Sequence, residues 1–346
     1  MMHQSGIFHA KARGKLLGWL GVIVSAALLF VALPLLSMGG NRDFIRKNVM
    51  SLNQELEEQA SLVKSDALAG VFDMPKVYSL LWNEEPVPKP NPDCFEGEDH
   101  YKDDTIEVKI WEERLSSSNV HFAEVWITHP TQIRSAWAGR KVGSDQRLNP
   151  KDIAADINAL LAINCDYACY RSTGFIIRQT QLYRNNPTGM LDTLLIDSNG
   201  DFHLMPDNRV EKSGVLEEYE ITNSYSFGPS LVIDGEKADD LVRTACDFGG
   251  RTTHQPRTAI GQLGTLHYLL CVIDGRNNNS TGVTMMQLRN IMYDKGCVQA
   301  YSFDGGASST MIFGDRTVNT PSWGDGVQRV MCDILYFATA VPNDTN

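Results

Sequence analysis

The stretch from Arg257 to Thr310 limits the fold more than any other part of the chain. RTAIGQL and HYLLCVIDGR are apolar runs on either side of a glycine-containing turn at Gly264, a pattern that predicts a β-hairpin. STGVTMMQLRNIMYDKG then predicts a helix, with Thr284 as N-cap, a stripe of Leu288, Ile291 and Met292, and Gly296 as the stop. CVQAYSF predicts one more strand, which opens directly onto Asp304-Gly305-Gly306-Ala307-Ser308-Ser309. In a hairpin the start of the first strand and the end of the second share an edge, so Arg257 falls near Asp274 and Arg276. A strand–helix–strand crossover usually leaves its two strands parallel, which carries Asp304 to the same edge. Four charged residues remote in sequence are therefore expected to converge where ligands commonly bind, at the carboxyl ends of strands.

These residue types suit an anionic ligand. Arg257 and Arg276 can hold a phosphate through bidentate, charge-assisted hydrogen bonds. The backbone N–H groups of Gly305 and Gly306, with the hydroxyls of Ser308, Ser309 and Thr310, can bind further anionic oxygens. Asp304 and Asp274 can serve as general base, nucleophile or metal ligand. Taken singly, an Asp-Gly-Gly or an Asp-Gly-Arg is an ordinary tight turn. Their convergence carries the expectation. His254, just before Pro256-Arg257, reads as a surface loop histidine rather than an acid.

Upstream, TIEVKIW alternates apolar and polar residues with period two, and VHFAEVWIT is a second strand candidate. Asn149-Pro150 supplies an N-cap and first-turn proline, and KDIAADINALLA places Ile153, Ile157, Leu160 and Leu161 on one helical face. A short apolar segment ending at Asn164 follows. The predicted fold class is α+β, a mixed β-sheet with flanking helices in one domain spanning 101–346. EEPVPKPNPDCFEGEDH reads as an extended linker and residues 43–69 as a stalk helix whose weak heptad character leaves room for self-association, the two filling 39–100.

At the N-terminus, Lys11, Arg13 and Lys15 precede the uncharged run LLGWLGVIVSAALLFVALPLLSM at 16–38, long enough to cross a hydrocarbon core of roughly 30 Å. Basic residues on that side alone place 1–15 in the cytoplasm and the rest outside the cell membrane. A cleaved signal peptide, with Ser37 and Gly39 near the cleavage point, is the alternative. The net charge of −11 and the absence of a later basic run exclude nucleic acid as a natural partner. The seven cysteines lie on the exported side, where disulfides persist, and their odd number leaves one thiol unpaired within the chain.

NSYSFGPSLVIDGE (223–236), PRTAIGQL (256–263), VIDGR (272–276), STGVTMMQL (280–288), SFDGGASSTM (302–311) and NTPSWGDGVQRVMCDILYF (319–337) together resemble the phosphodiester glycosidase family. AINCDYACYRSTG (162–174) resembles that family's earlier Asn-Gly-Asp-Phe-like segment, and VHFAEVWITHPTQIRSA its opening strands, so the resemblance runs from about Thr105 to Val341. Ala307 and Cys165 stand where the family commonly has glycine. The resemblance implies hydrolysis of the glycosidic C–O bond of a sugar 1-phosphodiester in a cell-surface or exported glycan. It implies Asp304 as the essential carboxylate, Asp274 as a helper, Arg257 and Arg276 on the phosphate, and Asn164 and Asp166 on sugar hydroxyls. The acidic loops leave Ca2+ open as a ligand, although no stretch has EF-hand spacing. Two rival readings are a non-catalytic module binding a wall polymer or capsule, and a phosphodiesterase cutting P–O. The second would want a His/Asp metal cluster, and the eight histidines include no pair at i, i+4.

Overall fold

The computed structural model describes residues 78–83, 85–245, 252–322 and 327–342, all within one compact unit, Lys76–Asn346. The expected anchor at 16–38 and the stalk helix lie outside the described residues. Among the described residues no helix is long and apolar enough to cross a membrane.

The unit is dominated by sheet, with 40% strand against 15% helix. An eight-stranded sheet runs in the order His100–Lys102, Ile106–Leu115, Ser118–Ile127, His267–Ile273, Arg257–Gly264, Gln299–Ser302, Ser230–Ile233, Glu236–Lys237. A five-stranded sheet runs in the order Arg316–Thr317, Met311–Phe313, Leu161–Asn164, Asp333–Phe337, Ile133–Trp137. Side chains from the facing sides of both fill one core, among them Val108, Val125, Leu270 and Tyr301 from the first and Ile163, Met311, Leu335 and Phe337 from the second. The outer face of the five-stranded sheet is covered by the helix Pro150–Asp156 and the outer face of the eight-stranded sheet by Met285–Asp294. The order is helix, sheet, sheet, helix.

The predicted hairpin is present, with Arg257 opposite Ile273 and Ala259 opposite Cys271. The predicted helix begins on a Thr284–Gln287 capping box, a device that contributes about 1 kcal/mol. It buries Met285, Leu288 and Met292 against the sheet, each worth roughly 1.5–3 kcal/mol, while Ile291 is only half-buried. Gly296 stops it at φ 85°. The crossover strand Gln299–Ser302 then lands on the far side of Arg257–Gly264, with Ala259 opposite Ser302. It therefore runs parallel to His267–Ile273 without touching it. For that reason the expected mixed sheet is not found: every ladder among the described residues is antiparallel.

Two further readings change. The helix after Asn149 ends at Asp156, because Asn158 adopts φ 60° and Leu161–Asn164 is needed as a strand paired on both sides. Leu160 and Leu161 are buried, but in the two-sheet core and not along a helical face. The proline-rich segment before His100 is packed rather than extended. Val87 is buried and bonded through its N–H to Ile157 O, and Phe95 meets Tyr101 and Phe313 edge-on. Cys169 and Cys332, 163 residues apart, form a disulfide, and Cys94, Cys165, Cys271 and Cys297 are free thiols.

Candidate active site

The register that pairs Arg257 with Ile273 and Ala259 with Ser302 brings the start of one strand and the ends of two others to a single edge. Glycines let these ends close tightly. A Cβ on Gly282, at φ 88°, would fall 2.3 Å from the Gln255 carbonyl carbon, and one on Gly305 would fall 2.7 Å from Pro256 O.

Asp304 leaves the strand into a braced turn. Its N–H donates to Cys165 O, and its own carbonyl accepts from Asn164 Nδ2 at 2.6 Å. The carboxylate accepts from Ser308 and from the Gly305 N–H. Arg329 reaches the same place, donating from Nη1 to Ser308 Oγ at 3.2 Å. Burial pushes the Asp304 carboxyl up to about 6, and the Ser308 hydrogen bond, the Arg329 charge, the Gly305 N–H and Arg171 only partly offset this. The group is half-buried and lines a small cleft with Tyr167, Tyr170, Ser308 and Arg329. Ala307 has no left-handed φ, whereas Gly306 sits at 60°. The alanine is thus tolerated where it stands.

The two arginines flank the glycines that follow. A Cβ on Gly306 would meet the Arg276 guanidinium at 2.9 Å, and one on Gly305 would meet Arg257 Cδ at 3.7 Å. Arg257 is buried, donating from Nε to Val283 O and from Nη2 to Thr253 O. Arg276 is oriented by Gln255, which accepts from Nε at 2.7 Å. Burial first, and then the neighbouring Arg276 charge, bring the Arg257 guanidinium down to about 10. An anion bound between the two guanidiniums would relieve the repulsion that lowers Arg257. The expected backbone cradle is not open to a ligand, since the Gly306 N–H is taken by Pro256 O and the Gly305 N–H by Asp304. Ser309 is buried and braced by main-chain bonds.

Asp274 arrives at the edge but turns its carboxylate inward. It accepts from His121 Nε2 at 3.1 Å, Asn319 Nδ2 at 3.3 Å and the Thr320 N–H at 2.9 Å, and is 2% exposed. Asn319 also donates to Ser309 O. Asp274, expected as a helper that orients an arginine or holds a metal, instead spends its carboxylate on His121, Asn319 and Thr320 and braces the turn after Asp304.

Asn164 and Asp166, expected on sugar hydroxyls, are likewise committed inward. Asn164 Oδ1 accepts from Thr258 Oγ1 and the Thr310 N–H while its Nδ2 holds the Asp304 carbonyl. Asp166 is fully buried, accepting from Arg171, from Arg178 and from the Ser226 N–H. Arg178 donates from the same Nη2 to Asp333. Ligand atoms of Cys165, Asp166 and Asp333 lie within 4.8 Å of one another. Arg178 bridges both carboxylates there and Arg171 pairs with Asp166, and the third donor is a thiol that burial holds protonated. This set does not fit Ca2+, a hard cation that takes six or more oxygens.

Arg329 was missed by residue-type reasoning, although it lies within the quoted 319–337 motif. Its guanidinium lies 5.4 Å from the Tyr167 ring centroid and 5.9 Å from that of Tyr170. The Cys169–Cys332 bridge ties the two loops that carry these residues. His121, locked against Asp274, was also missed. Alternation alone could have placed it, because it sits opposite Val272 in the ladder.

A family model described as phosphodiester glycosidase matches residues 155–338. The SPbeta prophage-derived uncharacterized protein YomE of Bacillus subtilis is 30% identical over 128 residues, 37% of this chain and 19% of its own length. This chain thus spans about a fifth of that relative. Among solved structures, the zebrafish N-acetylglucosamine-1-phosphodiester alpha-N-acetylglucosaminidase catalytic domain, auto-inhibited by its pro-peptide, aligns with TM-score 0.54 and 16% identity over 74% of this chain and 88% of that one. A hypothetical protein from Synechocystis aligns with TM-score 0.50 and 12% identity over 70% of this chain and 64% of that one. At these identities the structural likeness speaks to the fold.

Proposed function

We propose that this chain, which belongs to the phosphodiester glycosidase family, hydrolyses the glycosidic C–O bond of a sugar 1-phosphodiester in a cell-surface or exported glycan. The observation that supports this most is Asp304, a braced, half-buried carboxylate raised to about 6 in a turn flanked by Arg257, Arg276 and Arg329. A phosphate monoester is a stabilised leaving group, so the reaction leans less on a strong acid than ordinary glycoside hydrolysis does. It needs a carboxylate at the anomeric carbon and cations on the phosphate. Asp304 takes the first role, as nucleophile or base. The arginines take the second. Asp274 and Asn164 hold the Asp304 turn in place.

The full chain, incubated with a panel of sugar-1-phosphodiesters, is expected to release free sugar and phosphomonoester from at least one of them. Asp304 acts ionised, and its raised pKa means that the ionised fraction grows as pH rises. The rate kcat/KM should therefore climb through about pH 6 and level off above it. A rate that falls on rising through pH 6 would make Asp304 an acid instead. Binding of panel members with no release of sugar would leave a wall-polymer or capsule binding protein.

A further inference from the structure

A second cavity, of about 400 Å³, lies on the other side of the Arg178 ion pairs from the Asp304 cleft. Its walls come from three places: the segment carrying Trp82 and Glu85, the strand carrying Ser135 and Trp137, and the Arg178–Gln181 turn of a two-stranded hairpin. That turn holds Gln179 and Thr180 at φ 44° and 71°, which presents the Gln179 side chain across the opening to Glu85. Gln179 Nε2 donates to Glu85 Oε1 at 3.1 Å, and its Oε1 accepts from Ser135 Oγ. Tyr183 stands at the rim, 45% exposed.

The lining has a definite chemistry. Trp82, Trp137 and Tyr183 offer aromatic surface, and between them lie an amide, a hydroxyl and a carboxylate. The guanidiniums at the walls are already paired: Arg178 with Asp166 and Asp333, and Arg140 with Asp156. Burial raises the Glu85 carboxyl above its ordinary value against the pull of Arg134 and the Gln179 hydrogen bond. Two donors beneath the walls, Trp137 Nε1 and Arg178 Nε, have no hydrogen-bond partner. The volume falls in the usual range for small-molecule sites, and such sites combine apolar faces with a few placed polar groups. An anionic ligand would find the wall guanidiniums already paired and would meet the Glu85 carboxylate. A ring with apolar faces and hydroxyls around its edge would satisfy both kinds of wall.

We propose that this cavity binds one uncharged saccharide residue. Glu85 accepts from its hydroxyls, Gln179 bonds its edge, and the aromatic rings cover its faces. The inference does not depend on Asp304 turning over, because the two cavities are separated by the Asp166–Arg178–Asp333 bridge.

The test is saturation-transfer difference NMR of the full chain with methyl glycosides of neutral hexoses and N-acetylhexosamines, and with glucuronate and sugar 1-phosphates as charged probes. At least one neutral glycoside is expected to bind. Glu85→Gln and Gln179→Ala are each expected to weaken it about tenfold, the effect of one lost hydrogen-bonded contact, while Asp304→Asn leaves it unchanged. Tyr183→Ala, at an exposed rim position, serves as a further variant that does not touch the buried wall and should weaken binding too. Binding by the charged probes alone, binding abolished by Asp304→Asn but indifferent to Gln179 and Tyr183, or no binding of any neutral glycoside would each overturn the proposal.

Discussion

Asp304→Asn is expected to lower kcat by about 10³-fold or more while the protein folds normally, as for a carboxylate that acts in the transition state. The substitution keeps the shape, so the main-chain bonds to Cys165 and Asn164 persist. Stability should not fall, because the carboxyl is raised to about 6 by burial and removing its charge relieves a cost of folding. The check pairs turnover on a sugar-1-phosphodiester with a denaturation curve. Near-normal turnover would reduce Asp304 to a turn-former. Lost turnover together with lost stability would mean the effect is structural.

The largest stability effect is expected at Arg178, a residue with no direct contact to the proposed substrate. Its guanidinium bonds Asp166 and Asp333, both buried, and it lies 4.4 Å from the centroid of the Tyr225 ring. Arg178→Met would leave the buried Asp333 carboxylate without its cation and Asp166 with Arg171 alone, and breaking such a buried pair costs about 3–5 kcal/mol. The pH dependence gives a second signature. Asp333 is already raised to about 6, by burial and then by the charge of Asp166. Without Arg178 the Asp333 carboxyl should titrate still higher in the folded state than in the unfolded chain. The deficit would then grow as pH rises and shrink as pH falls and Asp333 takes up a proton. Urea titrations at pH 5 and pH 8 measure it. A loss under about 1 kcal/mol at pH 8, within the range of ordinary surface changes, would contradict the account.

Much of the edge was legible because it follows from chain order. Two apolar runs with a short turn must pair, and a capped helix of three turns must return its strand in the same direction. From these alone Arg257, Arg276 and Asp304 are brought to one place. What order does not carry is side-chain direction. Asp274 was placed at the right edge, yet His121 and Asn319, from remote strands and loops, turn its carboxylate inward. Asn164 and Asp166 resembled ligand residues by motif, but each is consumed by the interior, one as a peg under Asp304 and the other in an ion-pair network. Arg329 and the tyrosines beneath it gave no signal by residue type. They reach Asp304 through loops whose positions depend on the Cys169–Cys332 bridge, and pairing cannot be read from an odd set of seven cysteines. The sheet's antiparallel character was missed for a simpler reason. Parallel direction was read as adjacency, and the crossover strand paired with the hairpin's other arm.

The central claim is that the bond broken is the one to the sugar. If Asp304 serves the anomeric carbon, hydrolysis of a sugar-1-phosphodiester in oxygen-18 water should place the label in the released sugar and leave the phosphomonoester unlabelled, read by mass spectrometry of both products. Label in the phosphate would mean attack at phosphorus, and the arginines around Gly305 and Gly306 would then belong to a phosphodiesterase.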